Sequence, residues 1–149
     1  MNIRETPADE KIKISKFNFS CDDVDDSIPK PLPQVLNFFM LICGRPGSGK
    51  TSLILNLICK RGKMFNKKFD KIYVFSPSLL TMKDDPFGEL PDEQVFQDLT
   101  LSNFEKTLEE IKDTGEKILY ILDDVVNDMK KNMALQTILS KALMNRRHL

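Results

Sequence analysis

Residues 38–52 read FFMLICGRPGSGKTS and determine how the rest of the chain is interpreted. Six apolar residues are followed by Gly44, by four further residues, and then by the triplet Gly49-Lys50-Thr51. This is the G-x-x-x-x-G-K-[ST] spacing of a loop whose backbone N–H groups bind phosphate. Average composition would produce the pattern by chance in well under ~1% of chains this long. The stretch therefore predicts a strand, a phosphate-binding loop and a helix in succession.

The residue types in this stretch suit those three roles. Residues 38–43 are predicted as a buried parallel strand because all of them are apolar, and residues 50–60 as a helix whose positive N-terminal end points at the phosphates. Lys50 would reach the β- and γ-phosphates as a catalytic cation, and Thr51 would offer its hydroxyl to Mg²⁺. The expected nucleotide-binding residues are Gly44, Arg45, Pro46, Gly47, Ser48, Gly49, Lys50, Thr51 and Ser52.

The bulk composition is that of one soluble domain. A length of 149 residues fits a single domain, and a formal net charge of +0 gives no global field that would indicate nucleic acid or a membrane. The longest apolar run is far short of the ~18 residues that a membrane helix requires. The polar N-terminus MNIRETPADEK shows no signal peptide, and three widely spaced cysteines indicate reduced thiols in an intracellular compartment.

We divide the chain at residue 32. Residues 1–31 are predicted as an N-terminal extension that holds an edge strand over 11–19 and a solvated acidic loop, CDDVDD. Three prolines between positions 29 and 33 make a stiff connector into the core, which covers residues 32–149. The elements predicted after the loop are a strand over 72–75, a surface excursion over 79–100, a helix from a Ser102/Glu105 capping box to Gly115, a strand over 118–122 and an amphipathic helix over 128–145.

Two carboxylates, Asp123 and Asp124, follow the apolar strand predicted over 118–122. An open α/β sheet places its ligands at the carboxyl ends of its strands. Asp123 is therefore the expected partner of Mg²⁺ opposite Thr51, and Asp124 is the candidate general base for an attacking water. An acidic pair alone would be equally well explained as a capped turn. The phosphate loop upstream favours the Mg²⁺ interpretation.

Residues 60–71 carry six basic side chains and one acidic side chain. Such a segment could contact the backbone of a nucleic acid. It could equally be a solvated helix end, where lysines complement the negative end of the helix dipole. The sequence leaves both interpretations open and favours the second.

Taken together, these residues resemble the FtsK–HerA superfamily of phosphate-loop ATPases, and within it the genome-packaging ATPases of large DNA viruses, virophages and related elements. The resemblance implies a three-layer αβα P-loop NTPase fold with a mainly parallel sheet, ATP and Mg²⁺ as cofactors, and hydrolysis coupled to movement of double-stranded DNA. It also implies a homo-oligomeric ring, contact with viral capsid proteins, and a location in the host cytoplasm, a viral factory or the virion. The resembling blocks are residues 38–58, 69–78, 118–126 and the terminal RRHL.

The terminal block carries one further implication. An Arg-His pair after the last helix in that family would fall on Arg147 and His148. Arg147 would then sense the γ-phosphate of its own subunit or of a neighbour. The alternative is an ordinary charge at a helix end.

The chain departs from that family in its sheet. In the family, a strand that ends in a polar sensor residue lies between the loop strand and the Mg²⁺ strand, and this chain ends where it would begin. We therefore expect an incomplete sheet with unpaired backbone groups on two strands. The explanations are an N-terminal piece of a longer ATPase, which is favoured, a split gene, or adjacent motif strands as in the kinase–GTPase group. The chain alone is expected to be a poor ATPase.

Two other functions stay open. One is a nucleoside or small-molecule kinase, although such enzymes carry an Arg-rich lid and residues 79–100 are acidic. The other is a nucleotide-binding subunit that does not hydrolyse. DNA-stimulated hydrolysis, phosphorylation of an added nucleoside, or binding without turnover would separate the three.

Overall fold

The structure, a computed structural model, describes residues 24–58, 64–65, 67–81 and 87–145. Short 3₁₀ helices at Pro77–Thr81 and Asp92–Gln94 accompany the regular elements in this part of the chain. The regular elements, in chain order, are α1 (Lys50–Ile58), β1 (Lys71–Phe75), β2 (Val95–Phe96), α2 (Leu101–Ile111), β3 (Ile118–Leu122), α3 (Val126–Lys131) and α4 (Met133–Met144).

The described strands form one parallel sheet in the order β2-β1-β3. β1 pairs with β3 along its whole length, from Lys71 opposite Ile118 to Phe75 opposite Leu122. β2 adds two pairs on the other side of β1. β1 and β3 are mostly apolar along their length, as expected for parallel strands that are covered on both faces. The α/β class predicted from the sequence is confirmed.

Each face of the sheet carries its own apolar cluster, because successive side chains of a strand point to opposite faces. On one face Phe75 packs in a cluster with Phe104 of α2 and Leu135 of α4. On the other face Val74 and Ile121 pack against half-buried side chains of α1. Helices therefore cover both faces, and this packing fixes the helix that begins at the phosphate loop.

The prediction of a buried strand over residues 38–43 is wrong. None of the described strand pairs includes this segment, and the side chains of Phe39 and Leu41 are 62% and 74% exposed. Phe38 is half-buried, and its ring stacks on Phe65 with 5.3 Å between centroids. An apolar run supplies strand-like side chains, but a strand also needs a neighbour to pair with its backbone. The segment is not paired with β3 either, so the arrangement with adjacent motif strands is not observed.

The surface excursion predicted over residues 79–100 is only partly correct. Its last third contributes β2, which pairs Val95 with Val74 of β1, and Leu99 is 2% exposed. Phe87, between the two 3₁₀ helices, is also buried. Acids and prolines along the segment hid these apolar anchors, which are spaced too widely to give a periodic signal.

Helix α2 forms as predicted, but its cap lies two residues earlier than the sequence suggested. The side chain of Thr100, rather than that of Ser102, accepts the N–H of Asn103 at 3.2 Å. The helix ends at Ile111, and Gly115 follows with a φ of +70°. Glycine adopts this left-handed conformation without the steric cost that other residues incur.

The single helix predicted over residues 128–145 is two helices, α3 and α4, separated by Asn132. The Asn132 side chain accepts the N–H of Leu135 at 3.1 Å and caps α4. Asparagine competes for backbone groups in this way, so it favours a cap over a helix interior. The apolar spacing continued across the break and concealed it.

The proline-containing connector lies within residues 25–34, and contacts of Asp25 hold this segment in place. Asp25 donates its backbone N–H to the carbonyl of Gln34 at 2.7 Å, and its carboxylate pairs with Lys68 at 2.6 Å. Ile28 between them is fully buried. The predicted edge strand over 11–19 lies outside the described residues. Among the residues that are described, no helix is long and apolar enough to cross a membrane.

Candidate functional site

The predicted phosphate loop is an exposed turn that leads directly into α1. Residues 44–49 are all exposed, and the helix begins at Lys50. Gly47 and Gly49 have φ angles of +74° and +84°, which lie in the left-handed region that glycine adopts without steric cost. Alternation of left- and right-handed residues turns successive N–H groups toward one side, as an anion-binding nest requires.

Gly44 differs from the other two glycines, because its backbone lies close to the side chain of Ser48. A Cβ added at this position would lie 2.5 Å from Oγ of Ser48. The loop closes on itself here, because Ser48 donates its N–H to the carbonyl of Arg45 at 3.2 Å. A larger residue at position 44 would force the Ser48 hydroxyl to rotate away.

Lys50 folds back over the loop that precedes it. Its Nζ donates to the carbonyl oxygens of Gly44 at 3.2 Å and Arg45 at 3.5 Å. The ammonium group is therefore held beside the backbone that would surround a phosphate. A strongly hydrated point charge of this kind can exchange weak carbonyl contacts for phosphate oxygens.

Asp123 follows the last residue of β3 and is 5% exposed. Its backbone N–H donates to the carbonyl of Phe75 at 3.0 Å, so the ladder between β1 and β3 continues through it. Its Oδ2 accepts the hydroxyl of Thr51 at 3.2 Å. The structure thus brings together the two residues that the sequence assigned to Mg²⁺, which stand 72 positions apart.

Ser76 and Ser78 also contact Asp123, and the sequence did not assign them to the site. Their Oγ atoms lie 3.3 and 3.5 Å from Oδ2 of Asp123, and 2.8 Å from each other. Ser76 is fully buried. The signal that could have found them is position: they follow β1, whose carboxyl end lies at the same edge of the sheet as that of β3.

The residues present fit a Mg²⁺ ion that is held jointly with phosphate. No group of three or more His, Cys, Asp or Glu side chains in the described ranges could hold a metal. Mg²⁺ in phosphate-transfer sites typically uses one or two protein oxygens, with phosphate and water completing the shell. The Thr51 and Asp123 oxygens, 3.2 Å apart, approach the ~3.0 Å between adjacent ligands of an octahedron with bonds of about 2.1 Å.

The other predicted site residues are less constrained. Asp124 is exposed and has a φ of +56°, a conformation that aspartate tolerates better than most residues. Pro46 and Ser52 are exposed, and the Ser52 carbonyl accepts Nδ2 of Asn56 at 2.8 Å within α1. Arg147 lies outside the described residues.

Comparison with known proteins does not assign the chain to a family. No protein-family model, no curated protein and no solved structure matches it. The site must therefore be judged on its own geometry.

The basic segment over residues 60–71 is described only in part. Lys68 pairs with Asp25 at 2.6 Å, and Lys71 pairs with Glu116 at 2.8 Å. These two cations already have partners within the chain, which weakens the argument that they bind a nucleic acid. Lys60, Arg61 and Lys63 lie outside the described residues.

Proposed function

We propose that the chain binds a nucleoside triphosphate, with ATP as the expected one, together with Mg²⁺, and that its site is built for hydrolysis, which the chain alone carries out slowly. The observation that carries the proposal is the 3.2 Å hydrogen bond from Thr51 to Asp123. Two separate sequence patterns name these residues, and nothing in either pattern requires that they meet. Their contact supports a single site made of both.

The chain's own residues would have three roles in phosphoryl transfer: binding phosphate, binding Mg²⁺ and activating water. The N–H groups of the loop and Nζ of Lys50 would bind the phosphate oxygens, and Thr51 and Asp123 would hold the Mg²⁺. When bound, the cation would neutralise negative charge on the transferred phosphoryl group. Asp124, exposed beside Asp123, would orient or deprotonate the attacking water.

The proposal includes a P-loop NTPase fold of the three-layer αβα type. The parallel sheet, the helices on both of its faces, and the loop that precedes α1 support this assignment. Coupling of hydrolysis to the movement of double-stranded DNA by a ring of subunits rests on the sequence resemblance alone. It is the part of the proposal that DNA-stimulated hydrolysis would test.

The binding step is tested with the full chain and a fluorescent ATP analogue, titrated with and without Mg²⁺. Lys50→Ala should weaken binding by roughly 10- to 100-fold, since a hydrogen bond to a charged group contributes about 1.5–3 kcal/mol. Lys141→Ala, which removes an exposed lysine of α4, is the matched control and should bind as the wild type does. Equal affinity of the Lys50→Ala and wild-type chains would refute the assignment of the loop.

The hydrolytic step is tested at Asp124. Asparagine keeps the side-chain shape and the tolerance of a left-handed backbone, so Asp124→Asn removes the base with little other change. Binding should persist, and phosphate release should fall by about 10²- to 10⁴-fold. Hydrolysis at the wild-type rate would exclude Asp124 as the base. A wild-type chain that binds Mg²⁺-ATP without turnover, with or without DNA, would favour the non-hydrolysing alternative.

A further inference from the structure

We propose that Ser76 and Ser78 are positioning residues, which hold the Asp123 carboxylate in the orientation needed for Mg²⁺. This inference rests on the proposed nucleotide function and adds to it two residues that no motif names. Three hydroxyl groups converge on a single oxygen, Oδ2 of Asp123: those of Thr51, Ser76 and Ser78.

The two serines are best placed to act in series. Each hydroxyl has one proton, so the pair cannot make all three of its short contacts as donors at once. The shortest distances are 2.8 Å between the two Oγ atoms and 3.3 Å from Ser76 to Asp123. A hydrogen-bond series in which Ser78 donates to Ser76, and Ser76 donates to Asp123, uses both of these short distances. The 3.5 Å contact from Ser78 is then the weaker alternative.

The backbone fixes the serine that touches the carboxylate directly. Ser76 is fully buried, and its N–H donates to the carbonyl of Phe96 in β2 at 3.0 Å. Asp123 donates its own backbone N–H to the carbonyl of Phe75, the last residue of β1 and the neighbour of Ser76 in the sequence. Ser76 is therefore fixed by a hydrogen bond to β2 and Asp123 by a hydrogen bond to β1, so their separation does not depend on the exposed loop.

The need for the serines follows from the two roles of Thr51. Its hydroxyl donates to Asp123 as the structure stands, but its oxygen is also the expected ligand of the cation. A hydroxyl that turns its lone pairs to a cation must direct its proton elsewhere, so Asp123 would lose that donor on binding. Without the cation, a carboxylate that is 5% exposed needs donors to offset its desolvation, and once Thr51 has turned to the cation the two serines are the hydroxyl groups left to orient that carboxylate. Ser76 and Ser78 lie just after β1, outside the phosphate loop, and can keep that contact in both states.

The test measures the Mg²⁺ concentration that half-saturates the enhancement of binding of a fluorescent ATP analogue, with affinity in EDTA as the metal-free baseline. Groups that orient a metal ligand typically change metal affinity by about 10- to 100-fold when removed. Ser76→Ala should raise the half-saturating Mg²⁺ concentration by about 10-fold, and Ser78→Ala by about 3-fold because it acts through Ser76. Affinity in EDTA should not change, and Ser78→Thr, which keeps the hydroxyl, should restore the wild-type response.

Thr107→Val is the matched control for the loss of a buried hydroxyl. Thr107 is fully buried in α2, donates to the carbonyl of Phe104 at 2.8 Å and accepts the hydroxyl of Tyr120 at 3.1 Å, and it is not among the hydroxyl groups that contact Asp123. This variant should lower thermal stability without changing the Mg²⁺ response. If Ser76→Ala does not fold, the half-buried Ser78 decides the question through its Ala and Thr variants.

The outcomes separate this inference from the proposed function. Mg²⁺-dependent binding by the wild type, with no shift in either serine variant, would overturn the positioning role and leave the nucleotide site intact. Equal losses of affinity in EDTA and in Mg²⁺ would show that the serines only support the fold, and would overturn it too. A wild type that binds no nucleotide, or binds no better than Lys50→Ala, would overturn both proposals.

Discussion

The two halves of the candidate site are built differently. The acidic half stands on the sheet: Asp123 is 5% exposed, Ser76 is fully buried, and both are tied to β1 or β2 through their backbones. The phosphate-binding half is an exposed loop, and the segment that precedes it, residues 38–43, belongs to none of the described strands. The hydrogen bond from Thr51 to Asp123 joins the two.

This difference shows that the geometry of the site has two unequal sources. Buried contacts and ladder hydrogen bonds position the carboxylate before any ligand arrives, so its orientation is preorganised. The loop is held by its own turn, by glycine conformations and by α1. Phosphate binding would therefore order the loop more than it orders the carboxylate, and mutations in the two halves should act on different quantities.

The largest expected effect is a contrast in stability between the two halves. Phe75→Ala empties a fully buried position in β1 and should cost about 3–5 kcal/mol of unfolding free energy. Leu41→Ala changes a side chain that is 74% exposed and should stay within about 0.5 kcal/mol. Urea unfolding measures both. A cost of several kcal/mol for Leu41→Ala would break the comparison, because it would mean that residues 38–43 are buried in solution.

A smaller effect should separate the loop from an equivalent turn elsewhere. Gly49→Ala and Gly115→Ala each place a side chain at a left-handed position, with φ of +84° and +70° and no atom within 4 Å of the new Cβ. Each should cost about 1 kcal/mol of stability for backbone reasons alone. Only Gly49→Ala should also weaken nucleotide binding, as measured by titration with an ATP analogue. Unchanged affinity in that variant would show that the loop's N–H groups do not bind phosphate.

The smallest effect concerns the connector that leads into the loop half. Hydrogen bonds from Lys68 and Ser27 lower the pKa of Asp25 from 3.8 to about 2. Because this carboxyl is more acidic in the folded chain, its contribution to stability is present above pH 3.8 and is lost as pH falls toward 2. Asp25→Asn should therefore be slightly less stable than the wild type at pH 7.

The difference in stability between Asp25→Asn and the wild type is measured by thermal unfolding between pH 2 and pH 7. It should disappear near pH 2 and shrink in high salt, because the Asp25–Lys68 pair is accessible to solvent. A difference that persists unchanged at pH 2 would mean that Asp25 acts through packing and not through its charge.

Much of the acidic half could be read from the sequence. Apolar runs at residues 72–75 and 118–122 are strands in the structure, and Asp123 lies where a parallel sheet places its ligands. Local patterns sufficed because each of these strands finds its partner in the other. The position of Ser76 at the same edge of the sheet could also be read, but its contact with Asp123 could not, since that contact depends on the register between β1 and β3.

In the phosphate-binding half, the turn and the start of the helix were predicted correctly, and the strand that precedes them was predicted wrongly. The turn of Gly47 and Gly49 and the start of α1 at Lys50 follow local rules of glycine conformation and helix formation. The strand predicted over 38–43 failed because pairing is a property of two segments and the pattern describes one. The helix break at Asn132 was missed for a related reason: apolar periodicity reports which face is buried, not where the backbone is interrupted.

The short strand β2 has a consequence for anyone who alters the segment between Leu79 and Gln94. The carbonyl of Phe96 in β2 accepts the N–H of Ser76, and the carbonyl of Phe75 in β1 accepts the N–H of Asp123. The position of the acidic end of the site therefore depends on β1, and that of β1 depends in part on β2. An insertion or a loop graft that shifts β2 by one residue would remove the hydrogen bond to Ser76 and displace the serine from Asp123. The segment that the sequence predicts as a surface excursion therefore supports the buried carboxylate of Asp123.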